Sequence, residues 1–304
     1  MENLRPLIQL HVIVFIFGFT GILGDLIDMD ALSLVINRMS LAMATLALYF
    51  AWKKTPIWAH PKKLIQILGV GGIIAAHWVT FFHAIKISNV SVTLSCLAST
   101  SFMVALIEPL IYRRKIRLYE IGLGLLVVSG LYLIFRFEGD YTEGIIVALI
   151  SAFLAAVFSV LNGKLQERNP AERIAFFEML GGVIVVGVYF AFAGKMPDLM
   201  HHLPMDDLGY LFLLGTLCTA YPMVEIVRLL KHLTPYSISL AINMEPVYGI
   251  ILAVLLLGSD EKMTPAFYIG TAVILAALFV DAIIKRRRRK KLKASLAKNN
   301  LTQV

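Results

Sequence analysis

Within AINMEPVYG, residues 241–249, a carboxylic acid, Glu245, stands directly before Pro246 near the middle of a mostly apolar run. Ionisable side chains in such runs are costly in hydrocarbon, about 2.5–3.5 kcal/mol for Asp, Lys or Arg at a helix centre, so they are functional or paired by default. The proline removes the amide that would have bonded the carbonyl of Ile242, which leaves a polar acceptor at the same depth. Glu245 therefore reads either as a cavity-facing carboxylate for a cationic substrate group or a proton, or as a carboxylate neutralised by protonation or a structural hydrogen bond. Arg38, about two turns into another apolar run, has three readings: partner of Glu245, ligand for an anionic substrate group, or a side chain that snorkels to the outer interface.

Further candidates surround these two. Tyr221 and Glu225 are one helical turn apart with Pro222 between them, so both are expected on one side of a helix. Glu225 is also placed to pair with Arg228 three residues on. His77, Trp78, Phe81 and Phe82 combine a titratable ring with a bulky aromatic surface, which suits either a small-molecule pocket or plain packing. Thr100 and Asn243 are cavity candidates among the small polar residues Ser95, Ser99, Ser101, Ser237 and Ser239, whose usual membrane role is helix packing. Glu178 and His11 read as interface residues. His201 and His202 fall in a loop with Asp198, Asp206 and Asp207, but no metal site and no cofactor are expected of them. No catalytic residue is assigned: GxSxG, HExxH and paired-aspartate metal motifs are missing from the predicted helices, and the chain has no phosphate-binding GxxxxGK[ST] loop.

The elements that must position these residues follow from composition. Of 304 residues 59% are hydrophobic and 16% charged, with mean hydropathy +0.79, too little polar surface for a soluble domain. Ten apolar runs fall at 6–24, 31–52, 64–85, 89–112, 118–135, 143–163, 172–194, 207–228, 234–257 and 265–284, each near the ~20 residues that cross a hydrocarbon core. The first lacks a small-residue cleavage site before Asp25 and reads as a retained helix. Cys96 and Cys218 lie inside runs, as buried small apolar residues with no disulfide implied.

Charge sets the orientation. With the N-terminus inside, the inner segments hold Arg5, Lys53, Lys54, Lys62, Lys63, Arg113 to Lys115, Arg117, Lys164, Arg168, Arg173, Arg228 and Lys231, whereas the outer ones hold only Lys86, Arg136, Lys195 and Lys262. That bias predicts both termini in the cytoplasm and a multi-pass protein of the cell membrane. The net charge of +8 then needs no nucleic-acid partner: KRRRRKKLK, residues 285–293, directly follows a span and reads as an anchor against anionic inner-leaflet lipid.

Laid over each other at an offset of 146, segments 64–112 and 210–258 match Gly69 to Gly215 and Ser91 to Ser237; near the N-terminus an offset of 140 pairs Arg38 with Glu178. Order is kept across five consecutive runs. The expected fold is thus all-α and integral to the membrane, ten helices as two five-helix repeats at 1–137 and 138–285, with a basic tail at 286–304. An odd count per copy inverts the second repeat, the plan of many secondary transporters.

At this point the chain resembles the EamA-type members of the drug/metabolite transporter superfamily, over essentially residues 6–284. The resemblance rests on WVTFFHAIKISNVSVTL and IVRLLKHLTPYSISL, and on MEPVYGIILAVLLLGSDEKMTPAFYIGTAVILAALF, with its mid-helix proline, its turn at Gly258 to Glu261 and Gly270 in the next helix. It implies export or exchange of small metabolites, often amino acids or related compounds, through a central cavity lined mainly by helices one, three, four, six, eight and nine. The first copy departs from the pattern, with Thr100 where the family commonly has proline and YRRKIRL in place of the glycine and acid turn. Glu108-Pro109 lies at a different repeat position from Glu245-Pro246 and inherits nothing from it.

The leading expectation is a secondary transporter of a small metabolite working by alternating access, with a small-molecule substrate, membrane lipid around it and proton coupling opened by the carboxylates. The competing expectation is a membrane-embedded enzyme acting on lipid or sugar-lipid. A monomer and a homodimer are equally compatible with the sequence.

Overall fold

The computed structural model describes residues 4–57, 63–113, 118–137, 139–166, 169–197, 203–229, 241–242, 244–258, 262–277, 279–280, 283–284 and 287. Asn243, Ser237, Ser239, His201, His202 and the basic run of the tail apart from Arg287 lie outside them, as do the side chains of Ser101 and Arg228. Every regular element among the described residues is helical.

Helices α1 (Leu4–Leu26), α2 (Ala31–Trp52) and α3 (Leu64–Ile87) are followed by a broken pair, α4 (Val90–Leu97) and α5 (Thr100–Ile111), and then by α6 (Leu118–Phe137). The rest are α7 (Thr142–Gln166), α8 (Ala171–Ala193), α9 (Met205–Gly215), α10 (Tyr221–Leu229), α11 (Glu245–Leu256) and α12 (Pro265–Ala277). Boundaries follow local chemistry. The Oδ1 of Asp30 accepts from the amides of Leu32 and Ser33 at 2.9 and 3.1 Å to start α2, Asn89 accepts from Val92 at 2.8 Å to start α4, and Gly194 closes α8 at φ 62°.

Seven described segments are long and apolar enough to cross a membrane: Ile8–Leu26, Ala31–Trp52, Leu64–Ile87, Val90–Ile111, Thr142–Gln166, Ala171–Ala193 and Met205–Ile226. Gly122–Ile134, Glu245–Leu256 and Pro265–Ala277 are shorter apolar helices in the remaining three runs. Large apolar side chains cover the outside, among them Phe192 at 90% and Ile65 at 85% exposure, a surface that suits lipid and not water.

Two runs expected as continuous helices are interrupted. The fourth breaks at Ala98 and Ser99 with no proline at the break. The eighth passes through a five-residue π turn, Thr216–Ala220, between α9 and α10. In the ninth, Pro246 is not a mid-helix kink: α11 starts at Glu245, so the proline takes the second position, where its missing N–H leaves no bond unmade.

Helix α3 packs along both α7 and α8, α1 along α11, α2 along α8 and α9, and α4 and α5 along α7. Small residues permit the closest crossings. A Cβ on Gly71 would run into the backbone of Glu178, and one on Gly181 into the backbone of Leu68, so α3 and α8 meet main chain to main chain. The same reciprocity joins Gly130 of α6 to Gly270 of α12. Ser95 Oγ and Thr271 Oγ1 meet at 3.0 Å between α4 and α12, the packing use expected of small hydroxyls in lipid.

Candidate functional site

The helix breaks surround a cavity of about 440 Å³. Arg38 enters it from α2, His77, Trp78 and Phe81 from α3, Thr100 from the start of α5, Cys218 and Thr219 from the π turn, and Glu245 and Pro246 from the start of α11. Arg38, His77, Trp78, Phe81, Thr100, Glu245 and Pro246, all singled out in the sequence, are thus brought together.

Arg38 does not snorkel. It is 2% exposed, its Nε donates to Thr219 Oγ1 at 2.7 Å and its Nη2 reaches the carbonyl of Cys218 at 3.5 Å. The guanidinium lies 4.0 Å above the Trp78 ring and 5.4 Å from that of Phe82, a cation–π stack worth about 2 kcal/mol once desolvated. Its Nη1 is buried without a hydrogen-bond partner among the described residues. Glu245 attracts it across the same cavity. As the first residue of α11, Glu245 also sits at the positive end of a helix dipole.

His77 is 7% exposed and satisfied from α7: Nδ1 lies 2.9 Å from the Ser151 carbonyl and 2.8 Å from Ser151 Oγ, while that hydroxyl donates to the His77 carbonyl at 3.0 Å. With the proton on Nδ1 donated to the carbonyl, Nε2 is the acceptor. Phe158 and Phe81 flank the ring at centroid distances of 5.4 and 6.2 Å. Ser151→Ala removes a reciprocal helix–helix bond and is expected to destabilise the protein by about 1 kcal/mol, read as a lower thermal midpoint in detergent. Thr100 Oγ1 makes only a long contact, 3.4 Å, to the carbonyl of Ala152.

Tyr221 and Glu225 are not part of this cavity. The stripe that α10 and the π turn present to it is Thr219, Met223 and Ile226, at i, i+4 and i+7, and residues two positions from Met223 point about 200° away. Tyr221 is 40% exposed on the outer surface. Glu225 is buried at 9% and accepts from Gln9 Nε2 of α1 at 2.7 Å.

Several polar residues that line the cavity are not among the sequence candidates for it, Thr20, Ser159, Asn162, Gln166, Glu178 and Thr219 among them. Glu178, expected at an interface, is 1% exposed in α8; Asn162 joins it from α7 and Thr20 from α1. Glu178 Oε1 and Asn162 Oδ1 share with Arg38 Nη1 the property of being buried and without a partner among the described residues, whereas the Thr20 hydroxyl lies beside the Cys218 thiol. The cost of intramembrane charge already marked Glu178. A lone threonine or asparagine in an apolar run carries no such signal.

Buried polar atoms left open around a cavity, inside a bundle of broken apolar helices, define the class: a helical membrane transporter. The model of the EamA-like transporter family matches residues 5–136 and again 142–281, and the chain belongs to that family. An uncharacterized transporter from Archaeoglobus fulgidus is 23% identical over 206 residues, 66% of this chain and 69% of its own. A solved structure, described only as the crystal structure of a protein, superposes with a TM-score of 0.64 at 14% identity, over 92% of this chain and 97% of its own. That likeness bears on the fold alone.

Proposed function

We propose that the chain is a secondary transporter that exports or exchanges a small polar or amphipathic metabolite, such as an amino acid or related compound, by alternating access between two inverted five-helix repeats. The observation that carries this reading is the set of three buried polar atoms without a partner among the described residues, on Arg38, Asn162 and Glu178, converging on one cavity of about 440 Å³. Buried polar groups are almost always satisfied, so open ones aimed at a cavity of small-molecule size suit a polar solute.

The packing supports the repeat. If each run is exchanged for the one five places on, the contact of α3 with α7 becomes that of α9 and α10 with α1, and α3 with α8 becomes α9 with α2. The contact of α1 with α11 becomes α7 with α4 and α5. The two breaks obey the same exchange, since an offset of 146 lays Ala98, Ser99 and Thr100 on Met244, Glu245 and Pro246. Discontinuous helices at the repeat interface are where such transporters hold their cargo. The cavity also extends to Gln166 and Ala171, at helix ends flanked by Lys164 and Arg173, the side that the charge bias makes cytoplasmic. With the basic tail on that side as well, the reading is a multi-pass protein of the cell membrane that faces inward in this structure. Within the site, Arg38 would hold an anionic group, Glu245 a cationic group or a proton, and Trp78, Phe81 and His77 the apolar body; Thr100 and Asn243 would border it.

Purified protein in liposomes loaded with a panel of amino acids and related metabolites should show substrate-dependent flux. Turnover of lipid without flux would sink the transport reading in favour of an enzyme. Glu245→Gln should abolish that flux or shift its pH dependence in a folded protein, and wild-type flux from this variant would make Glu245 structural.

A further inference from the structure

Arg38 and Glu178 stand at matching depths in their helices, eight residues past the caps Asp30 and Pro170, about 12 Å along each axis. Their surroundings differ. Arg38 is held by Thr219, the Cys218 carbonyl and Trp78, and Glu245 attracts it. The Glu178 carboxyl has one side-chain partner among the described residues, the neutral amide of Asn162. Its Oε1 is open, and so is Asn162 Oδ1. Two acceptor oxygens therefore share one corner of the cavity with no donor for either among the described residues.

Among the described residues, the charged and titratable groups on the neighbouring elements bond other partners. His77 of α3 bonds Ser151, Arg38 of α2 bonds Thr219, and Glu225 of α10 bonds Gln9. Glu245 of α11 faces Arg38, and Cys218 of the π turn lies beside Arg38 as well. Lys164 of α7 donates to the Ile111 carbonyl, and on α8 itself Arg173 donates to the Pro56 carbonyl, while Glu172 lies a further residue toward the helix start. None of them pairs with Glu178. A buried charge without a partner is expensive, and an ionised carboxylate only accepts hydrogen bonds. One proton on this carboxyl removes the charge and supplies the donor that the corner lacks.

We propose that Glu178, held by Asn162, is the site where this transporter takes up and releases a proton in exchange for its substrate, separate from the Arg38 and Glu245 side of the cavity. The proposal rests on the transport reading above and adds the coupling residue to it. Gln166 and Ala171, on the same cavity wall, place Glu178 within reach of the end of the bundle that bears Lys164 and Arg173, the route by which its proton would exchange.

Two measurements separate this proposal from the reading it rests on. Infrared spectra of the purified protein across a pH series should show a protonated-carboxyl component that is lost in Glu178→Gln and kept in Glu245→Gln; a spectrum unchanged in Glu178→Gln overturns the proposal. In liposomes, a pH gradient should drive uptake of radiolabelled amino acids by the wild type. Glu178→Gln should lose that gradient-driven uptake at least tenfold. Gradient-driven uptake retained in Glu178→Gln overturns the proposal. If the wild type moves nothing in the panel yet the band behaves as expected, the transport reading has failed, and the coupling role falls with it while Glu178 remains a protonated carboxyl. Should Glu178→Gln not fold, Asn162→Leu leaves the carboxyl in place and must shift the pH at which the band disappears; an unchanged titration counts against Glu178.

Discussion

Arg38→Lys is expected to lower substrate flux by about 10- to 150-fold while the purified protein stays monodisperse. Lysine keeps the positive charge but has neither the flat face that lies 4.0 Å over Trp78 nor the fork that reaches Thr219 and the Cys218 carbonyl while leaving Nη1 open to the cavity. Losing one hydrogen bond to a charged group costs about 1.5–3 kcal/mol, and each 1.4 kcal/mol is about a factor of ten in affinity. Initial rates in liposomes, normalised to reconstituted protein, check the size of the effect. Rates within twofold of wild type would show that only the charge of Arg38 matters. Arg38→Ala goes further, since Glu245 then faces the cavity with no opposing charge.

The largest effect on stability is expected at the α3–α8 crossing. Gly181→Val should abolish the folded state, seen as aggregation on size exclusion, because its Cβ would meet the backbone carbonyl of Leu68 and not a side chain able to turn aside. Gly71→Val should fail in the same way against the backbone of Glu178. Overpacking typically costs about 1–3 kcal/mol where neighbours can shift; two helix backbones in contact cannot. Gly187→Ala, six residues along the same helix with nothing near the added methyl, should match wild type or gain up to about 1 kcal/mol from helix propensity. Gly181→Val with a normal thermal midpoint would show that the two helices have room to separate.

Much of this was legible because burying charge in hydrocarbon is costly enough to appear in the sequence. Arg38, Glu245 and the aromatic group on α3 stood out as exceptions in apolar runs, and they meet at one cavity. What could not be read is which way a helix faces. In runs apolar on every side, such as α8, where Ile184 and Val188 are exposed at 47% and 48% while Phe177 is fully buried, no polar stripe marks the interior. Tyr221 and Glu225 were therefore grouped with the cavity although Met223 between them points into it. Glu178 reads from the sequence as an interface residue, whereas the contact of α8 with α3 and α2 buries it. The break in the fourth run has no proline and no glycine to announce it. Tertiary contacts set it, and only the repeat alignment with Pro246 hinted at the position.

That break differs in kind from its counterpart before α11. Pro246 has no amide hydrogen, so the bond to the Ile242 carbonyl can never form there. Between α4 and α5 every donor is intact: Ser99 bonds back to the Cys96 carbonyl at 3.0 Å, and Phe102 and Met103 both return to the Ser99 carbonyl at 3.0 and 3.1 Å. Exchanging the tight i→i−3 turns for ordinary helical ones shortens the rise from about 2.0 to about 1.5 Å per residue, so three residues that convert draw α4 and α5 together by about 1.5 Å. At one joint of the bundle covalent structure forbids a bond, and at the other hydrogen bonds and packing hold a tight turn whose donors are all present.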